Sequence, residues 1–262
     1  MTDSITLHGD GPIAFVTLAN AGRLNAMTRA MWLQLRAVFE ALARDASRRC
    51  IVVRGEGGAF CAGGDISEYP SFRFDAASLR EFHENEVWAG LAAMLACEVP
   101  LVAQIEGACM GAGLEIASCC DIRLAGASAK FGAPIAKLGF PMAPREAALV
   151  TSAIGDTLAR DMLLAAGVHD AQRLYDAGFL LRVLPDADVA GDALAHAQRI
   201  AALAPEAARL NKRTFAALRG AGGQDPLAAL VAVAYDYADS DEHREGIAAF
   251  LGKRTPVFLN SP

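Results

Sequence analysis

The chain has 262 residues, 53% of them hydrophobic and 21% charged. That is enough apolar material for one large domain, or one domain with a helical appendage, and too much for a disordered chain. A formal net charge of −6 argues against a surface built to neutralise phosphate backbones, and so against a nucleic-acid partner. The six cysteines (Cys50, Cys61, Cys97, Cys109, Cys119 and Cys120) show no C-x-x-C spacing and mostly sit in apolar runs. They read as reduced core thiols of a cytoplasmic protein, with no metal centre. The polar start MTDSITLHGD is unlike a signal or transit peptide, and no apolar run reaches membrane-spanning length, so no membrane partner is expected.

In chain order, Ile5–His8 and Ile13–Leu18 are β-prone runs around the turn Gly9-Asp10-Gly11-Pro12 and predict a hairpin. Thr28 is placed to cap a helix reaching about Asp45, with Met31, Leu35, Val38 and Leu42 on one face. Arg29, Arg36 and Arg44 fall opposite, where a solvated face is expected. Cys50–Val53 predicts a buried strand, followed by the glycine-rich loop Gly55–Gly64. Tyr69–Ala77 has no period and predicts an irregular, lid-like connection, and Leu79–Ala96 predicts a long helix.

The run LVAQIEGACMGAGLEIASCC, Leu101–Cys120, opens as an apolar strand, turns through Gly111-Ala112-Gly113 and enters a helix carrying Glu115. Strand and helix alternate through Ile122–Leu124 and a short helix Ala171–Ala177, bracketed by Asp170 and Gly178, to Val183-Leu184-Pro185. From Asp188 the pattern is wholly helical: Ala190–Leu203, Pro205–Leu218, Pro226–Ala238 and Asp241–Leu251. The expected organisation is an α/β core over residues 1–187 and a helical region over 188–262, docked on that core or on a neighbouring subunit.

Several nucleotide and hydrolase patterns fail. Ile116 stands where a dinucleotide fingerprint needs its third glycine, Gly55–Gly64 lacks a Gly-Lys-Ser/Thr ending, and no G-x-S-x-G elbow occurs. The five histidines are scattered, without ligand-spaced partners. What remains is two small-residue loops after buried strands, each able to offer backbone N–H groups to one oxygen, with Glu115 close to the second. A carboxylate beside an anion site suits a proton carrier. It also suits a first helical turn for purely electrostatic reasons.

Here the sequence resembles the crotonase, or enoyl-CoA hydratase/isomerase, family. Phe60-Cys61-Ala62-Gly63-Gly64-Asp65-Ile66 resembles the family's first oxyanion segment, and the stretch from Ile105 to Ala117 its second. Leu24-Asn25-Ala26-Met27, Cys120-Asp121-Ile122-Arg123, Phe131-Gly132, Lys137-Leu138-Gly139 and Lys253-Arg254-Thr255-Pro256 extend the likeness over about Ile13–Phe258. The resemblance implies a spiral of ββα units with a C-terminal helical trimerisation region, a homotrimer or dimer of trimers, and an acyl-CoA thioester as substrate. It implies no cofactor beyond the coenzyme A of that substrate. By position it implies oxyanion donors at Gly64 and Ala112 and an acid/base at Glu115. It also implies a coenzyme A side at Arg23, Leu24 and Ala26, a pantetheine path along Ala62, Asp65 and Ile66, and nucleotide contacts from Phe250 or Lys253.

One departure shapes the functional expectation. Family hydratases use two glutamates, and the second position is Ile135 here, which cannot carry a proton. Glu115 acting alone, or with Glu146, Glu68 or Glu86 as substitute, is one expectation. A non-catalytic acyl-CoA-binding protein is another, and an RNA-associated role for the arginine face a third.

Overall fold

A computed structural model describes residues 3–219, 230–231 and 233–258. Strands β1 (Ser4–His8) and β2 (Ile13–Ala19) pair antiparallel as the expected hairpin, with Ile5 opposite Leu18. The sheet then grows by parallel addition of β3 (Cys50–Gly55), β4 (Leu101–Ile105), β6 (Ile122–Gly126) and β9 (Arg182–Leu184). A second sheet holds β5 (Ala108–Met110), β7 (Lys130–Gly132) and β8 (Val168–Asp170).

A repeating unit follows from this order. β4 in the large sheet leads to β5 in the small one and then to helix α4 (Ala112–Cys119). β6 leads in the same way to β7 and to α5 (Pro144–Ile154). After β3 the chain places Cys61 in a bridge to Cys109 of β5. Each turn therefore adds one strand to each sheet before its helix, a spiral of ββα units.

The large sheet is apolar on both faces because both are covered. Alternate residues Ile51, Val53, Leu101, Ala103 and Ile105 face the main core, and Cys50, Val52, Val102 and Leu124 form a second cluster with Ala193 and Ala197. Those two alanines belong to α8 (Val189–Ala201), so the first helix after Asp188 docks on the α/β part. All six cysteines are buried and none is in a disulfide among the described residues. Burial pushes the thiols of Cys50, Cys61 and Cys120 up to about 12.

Helix α1 (Arg29–Leu42) begins where expected, with the Thr28 hydroxyl accepting the Met31 N–H at 3.2 Å. It buries Met31, Trp32, Leu35, Phe39 and Leu42 against β1 and α3 (Trp88–Ala96). The arginine face is not uniformly solvated. Arg36 pairs with Glu40 at 2.7 Å, but Arg29 forms a two-pronged ion pair with buried Glu86 and stacks 4.9 Å from the Phe72 ring centre. Helical periodicity gives the side of the helix and carries no information about what a distant segment packs there.

The expected helix Leu79–Ala96 is longer and interrupted. It comprises α2 (Ala76–Glu81), a π-helical turn Phe82–Val87, and α3. A 3₁₀ turn capped by Asp65, Ile66–Ser71, runs into the start of the connection expected to be irregular, Tyr69–Ala77. Helices α6 (Asp156–Leu164), α7 (Ala171–Asp176), α9 (Pro205–Arg219) and α10 (Asp241–Leu251) complete the chain. The helix expected over Pro226–Ala238 lies partly outside the described residues, and 233–239 are turn. No helix among the described residues is long and apolar enough to cross a membrane.

Candidate active site

Two loops meet because a few small residues let their backbones touch. The Cys61 N–H donates to Ala108 O and the Met110 N–H to Cys61 O, both at 2.8 Å, which fixes the first loop on β5. A Cβ on Gly113 would lie 2.5 Å from the Cys61 carbonyl oxygen, so only glycine permits this approach at the head of α4. Gly111, with φ +46, turns the chain from β5 into that helix, and a Cβ there would lie 3.6 Å from the Gly63 Cα.

The two amides singled out in the sequence sit at this junction. The chain on either side of Gly64 is pinned to Met27, whose N–H donates to Gly63 O and whose carbonyl accepts from the Asp65 N–H, each at 2.8 Å. Ala112 is the first residue of α4, where an N–H has no partner within the helix. Neither the Gly64 nor the Ala112 N–H takes a protein acceptor among the described residues. Both residues line one cavity of about 210 Å³ together with Glu115.

Glu115 is held from behind, its N–H donating to Gly111 O at 3.0 Å, and is 9% exposed. Burial, and secondarily the charge of Glu146, push its carboxyl up from the ordinary 4.5 to about 8. The group is therefore protonated at neutral pH. Apolar walls come from Trp32, Phe82, Val87, Met110, Ile135, Leu138 and Met142. The remaining polar lining is Tyr69, Arg73 and His83. Tyr69 stands over the first loop, since a Cβ on Gly64 would lie 2.2 Å from its hydroxyl oxygen. The Arg73 guanidinium stacks on the rings of Phe140 and Tyr69, at 3.8 and 4.5 Å.

Of the residues singled out in the sequence, Gly64, Ala112, Glu115, Ala62, Ile66 and Ile135 share the cavity. Arg23 and Asp65 lie beside it as an ion pair at 2.7 Å, with Arg23 also donating to the Ser67 hydroxyl at 2.8 Å. Leu24 is 58% exposed at φ +47 and accepts the Ala62 N–H at 2.9 Å, and Ala26 is buried behind it. Phe250, 82% exposed, and Lys253 sit at the end of α10, outside the cavity lining of this single chain.

The three glutamates weighed as substitutes separate clearly. Glu68 accepts the Arg29 N–H at 2.8 Å and so caps α1, and Glu86 is taken by the Arg29 guanidinium. Glu146, only 2% exposed in the first turn of α5, lies 3.1 Å from His83 Nδ1. His83 is the cavity residue that sequence reasoning passed over. Its partner is 63 positions away, and no local spacing announces such a pair.

Proteins of known sequence and structure resemble this chain over nearly its whole length. The family profile described as enoyl-CoA hydratase/isomerase matches residues 9–261. The chain is 33% identical over 247 residues to the 2,3-dehydroadipyl-CoA hydratase of Escherichia coli, covering 94% of each protein. It is 29% identical over 258 residues to a probable enoyl-CoA hydratase of Mycobacterium bovis, covering 98% of each. The crystal structure of an enoyl-CoA hydratase/carnithine racemase from Magnetospirillum magneticum superposes with a TM-score of 0.93 at 36% identity, over 100% of this chain and 97% of that one. With the profile spanning almost the whole sequence and the spiral of ββα units shared, the chain belongs to the enoyl-CoA hydratase/isomerase family and has the crotonase fold.

Proposed function

We propose that the protein is an acyl-CoA enzyme of the enoyl-CoA hydratase/isomerase type, acting through a thioester enolate. The observation that carries this reading is the pair of unpartnered amides, Gly64 and Ala112, on the cavity that Glu115 also lines. A thioester oxygen received by both gains negative charge as the enolate forms. Fixed donors stabilise that charge more than the neutral carbonyl, by about 3 kcal/mol per donor in comparable sites. Glu115, protonated at neutral pH, exchanges a proton with the α-carbon. Relatives named as hydratases of CoA thioesters support the substrate class.

In this reading Arg23, Leu24 and Ala26 border the coenzyme A, with Ala62, Asp65 and Ile66 along the pantetheine. No cofactor is needed beyond the coenzyme A of the substrate. Phe250 and Lys253 reach the nucleotide of a neighbouring subunit in a homotrimer or a dimer of trimers. The exposure of Phe250 (82%), Leu251 (75%) and Val257 (65%) supports a subunit contact, since a patch of this kind is costly on a monomer. Sedimentation of the native protein and of Phe250→Asp tests it, with a monomeric native protein as the refuting result.

The activity is tested with 2-enoyl and 3-enoyl CoA thioesters of several lengths, on the native protein and on Glu115→Gln. Turnover that the substitution abolishes is expected, and no turnover of any thioester would refute the reading. Ile135 favours one other reading, an acyl-CoA-binding protein without chemistry. Calorimetric binding of the thioesters with no conversion would establish it.

A further inference from the structure

Hydration of a double bond moves two protons: one leaves the attacking water and one arrives at the α-carbon. Ile135 gives the cavity an apolar wall and Glu115 is the one carboxylate among its described lining residues, so a site relying on that group alone would be one proton carrier short. The cavity holds another candidate on a different wall. His83 lines it, with its side chain 21% exposed, and its Nδ1 lies 3.1 Å from Glu146 Oε1, whose side chain is 3% exposed. We propose that His83 and Glu146 supply the second proton-transfer station of this cavity, with the imidazole as carrier and the carboxylate as its positioning partner. This rests on the hydratase reading given above.

Three independent features support the assignment. A carboxylate facing Nδ1 fixes that nitrogen as the protonated one and leaves Nε2 as the basic atom, the arrangement that orients a histidine for general-base work. Glu146 itself is held in the first turn of α5, behind Pro144 at the first helical position, where the helix dipole favours a negative charge. His83 rides on the π-helical turn Phe82–Val87, a costly backbone form that recurs at functional sites because it re-aims one side chain. Glu146 also raises the Glu115 carboxyl electrostatically, so the two stations share one field.

The step balances as follows. The oxygen of water bonds to the β-carbon as its proton passes to His83 Nε2, and the π pair moves through the enolate held by Gly64 and Ala112. The Glu115 carboxyl proton then goes to the α-carbon. Return of the proton from the imidazolium to the Glu115 carboxylate restores the resting site, with one water added and nothing oxidised. Glu146 from α5 is in contact with the imidazole, and the ionisable and charged groups that share its cavity are Glu115 from α4, Tyr69 and Arg73. The ion pair between Glu84 and Arg145, at 2.8 Å, flanks it one residue along each element.

The test uses the full-length protein and its His83→Gln, His83→Ala and Glu146→Gln variants with a 2-enoyl CoA thioester. The expected result is a fall in kcat of about 10²–10⁴-fold for the His83 variants, with KM nearly unchanged. The acidic limb of the pH–rate profile should vanish in them and should shift in Glu146→Gln, and added imidazole should restore part of the His83→Ala rate. A folding defect would leave none of these pH and rescue signatures, and acyl-CoA affinity reports whether each variant is folded. An active native protein whose His83→Gln variant keeps its kcat and pH profile, or a folded His83→Ala that imidazole does not rescue, overturns the proposal alone. A native protein with no turnover overturns the hydratase reading and this role with it.

Discussion

Replacing Glu115 by glutamine tests the electrostatics of the site without asking for any activity. In the folded chain the carboxyl ionises at about 8 in place of the ordinary 4.5, because burial and then the Glu146 charge oppose its negative form. Between those two values the unfolded chain has released its proton while the folded chain retains it. Unfolding is therefore favoured progressively as pH rises, and stability falls across the window before levelling above about 8. At about 1.36 kcal/mol per unit the full shift corresponds to a ceiling of ~5 kcal/mol, a large share of the stability of a domain this size. Water reaching a cavity carboxyl lowers that figure to a few kcal/mol. Denaturant titrations at half-unit steps from pH 4.5 to 9 should show the native protein losing stability relative to Glu115→Gln, with the gap widening up to about pH 8 and constant beyond it. Parallel curves for the two proteins would refute the claim that Glu115 is held protonated by its surroundings.

Other consequences follow from single contacts. Gly113→Ala forces a Cβ to within 2.5 Å of the Cys61 carbonyl, so the two loops must separate. A loss of about 1–3 kcal/mol in denaturant midpoint and a larger loss of acyl-CoA affinity are expected, and native-like affinity would show that the loops need not touch. Thr28→Ala removes the cap of α1 and should cost ~1 kcal/mol in thermal unfolding, with no change in acyl-CoA binding. Arg29→Met leaves the Glu86 carboxylate buried without its guanidinium and should cost about 2 kcal/mol, most of it recovered in the double variant with Glu86→Gln. Adding Ile135→Glu to His83→Gln places a second carboxyl in the cavity and should recover part of the lost hydration rate. A folded double variant with no recovery would mean that the missing element is not a proton carrier.

Much of this protein was legible in the order of its residues. The hairpin, the Thr28 cap, the buried strand at Cys50 and the turn at Gly111 follow from signals confined to a few neighbouring positions, and local sterics and hydrogen bonding decide them. The spiral is implied only by the resemblance of two small-residue segments to the crotonase family, and the near-complete family match and the shared fold agree with it. The turn at Gly111-Ala112-Gly113 and the helix carrying Glu115 are legible in the residues themselves, because small residues set the backbone path there, whereas the donor roles of Gly64 and Ala112 come from the resemblance.

Tertiary structure decided the pairings. Arg29 reads as one of three equivalent arginines on a helix face, and only the fold brings Glu86 to it and leaves Arg36 with its own helix neighbour. Glu146 and Glu68 are alike in sequence, yet one is buried against His83 and the other caps α1. A carboxylate's partner, burial and proton affinity depend on what the rest of the chain packs around it. His83 and Glu146 stand 63 positions apart, and no local pattern announces their meeting, because the contact exists only once the fold has brought the first turn of α5 to the π-helical turn.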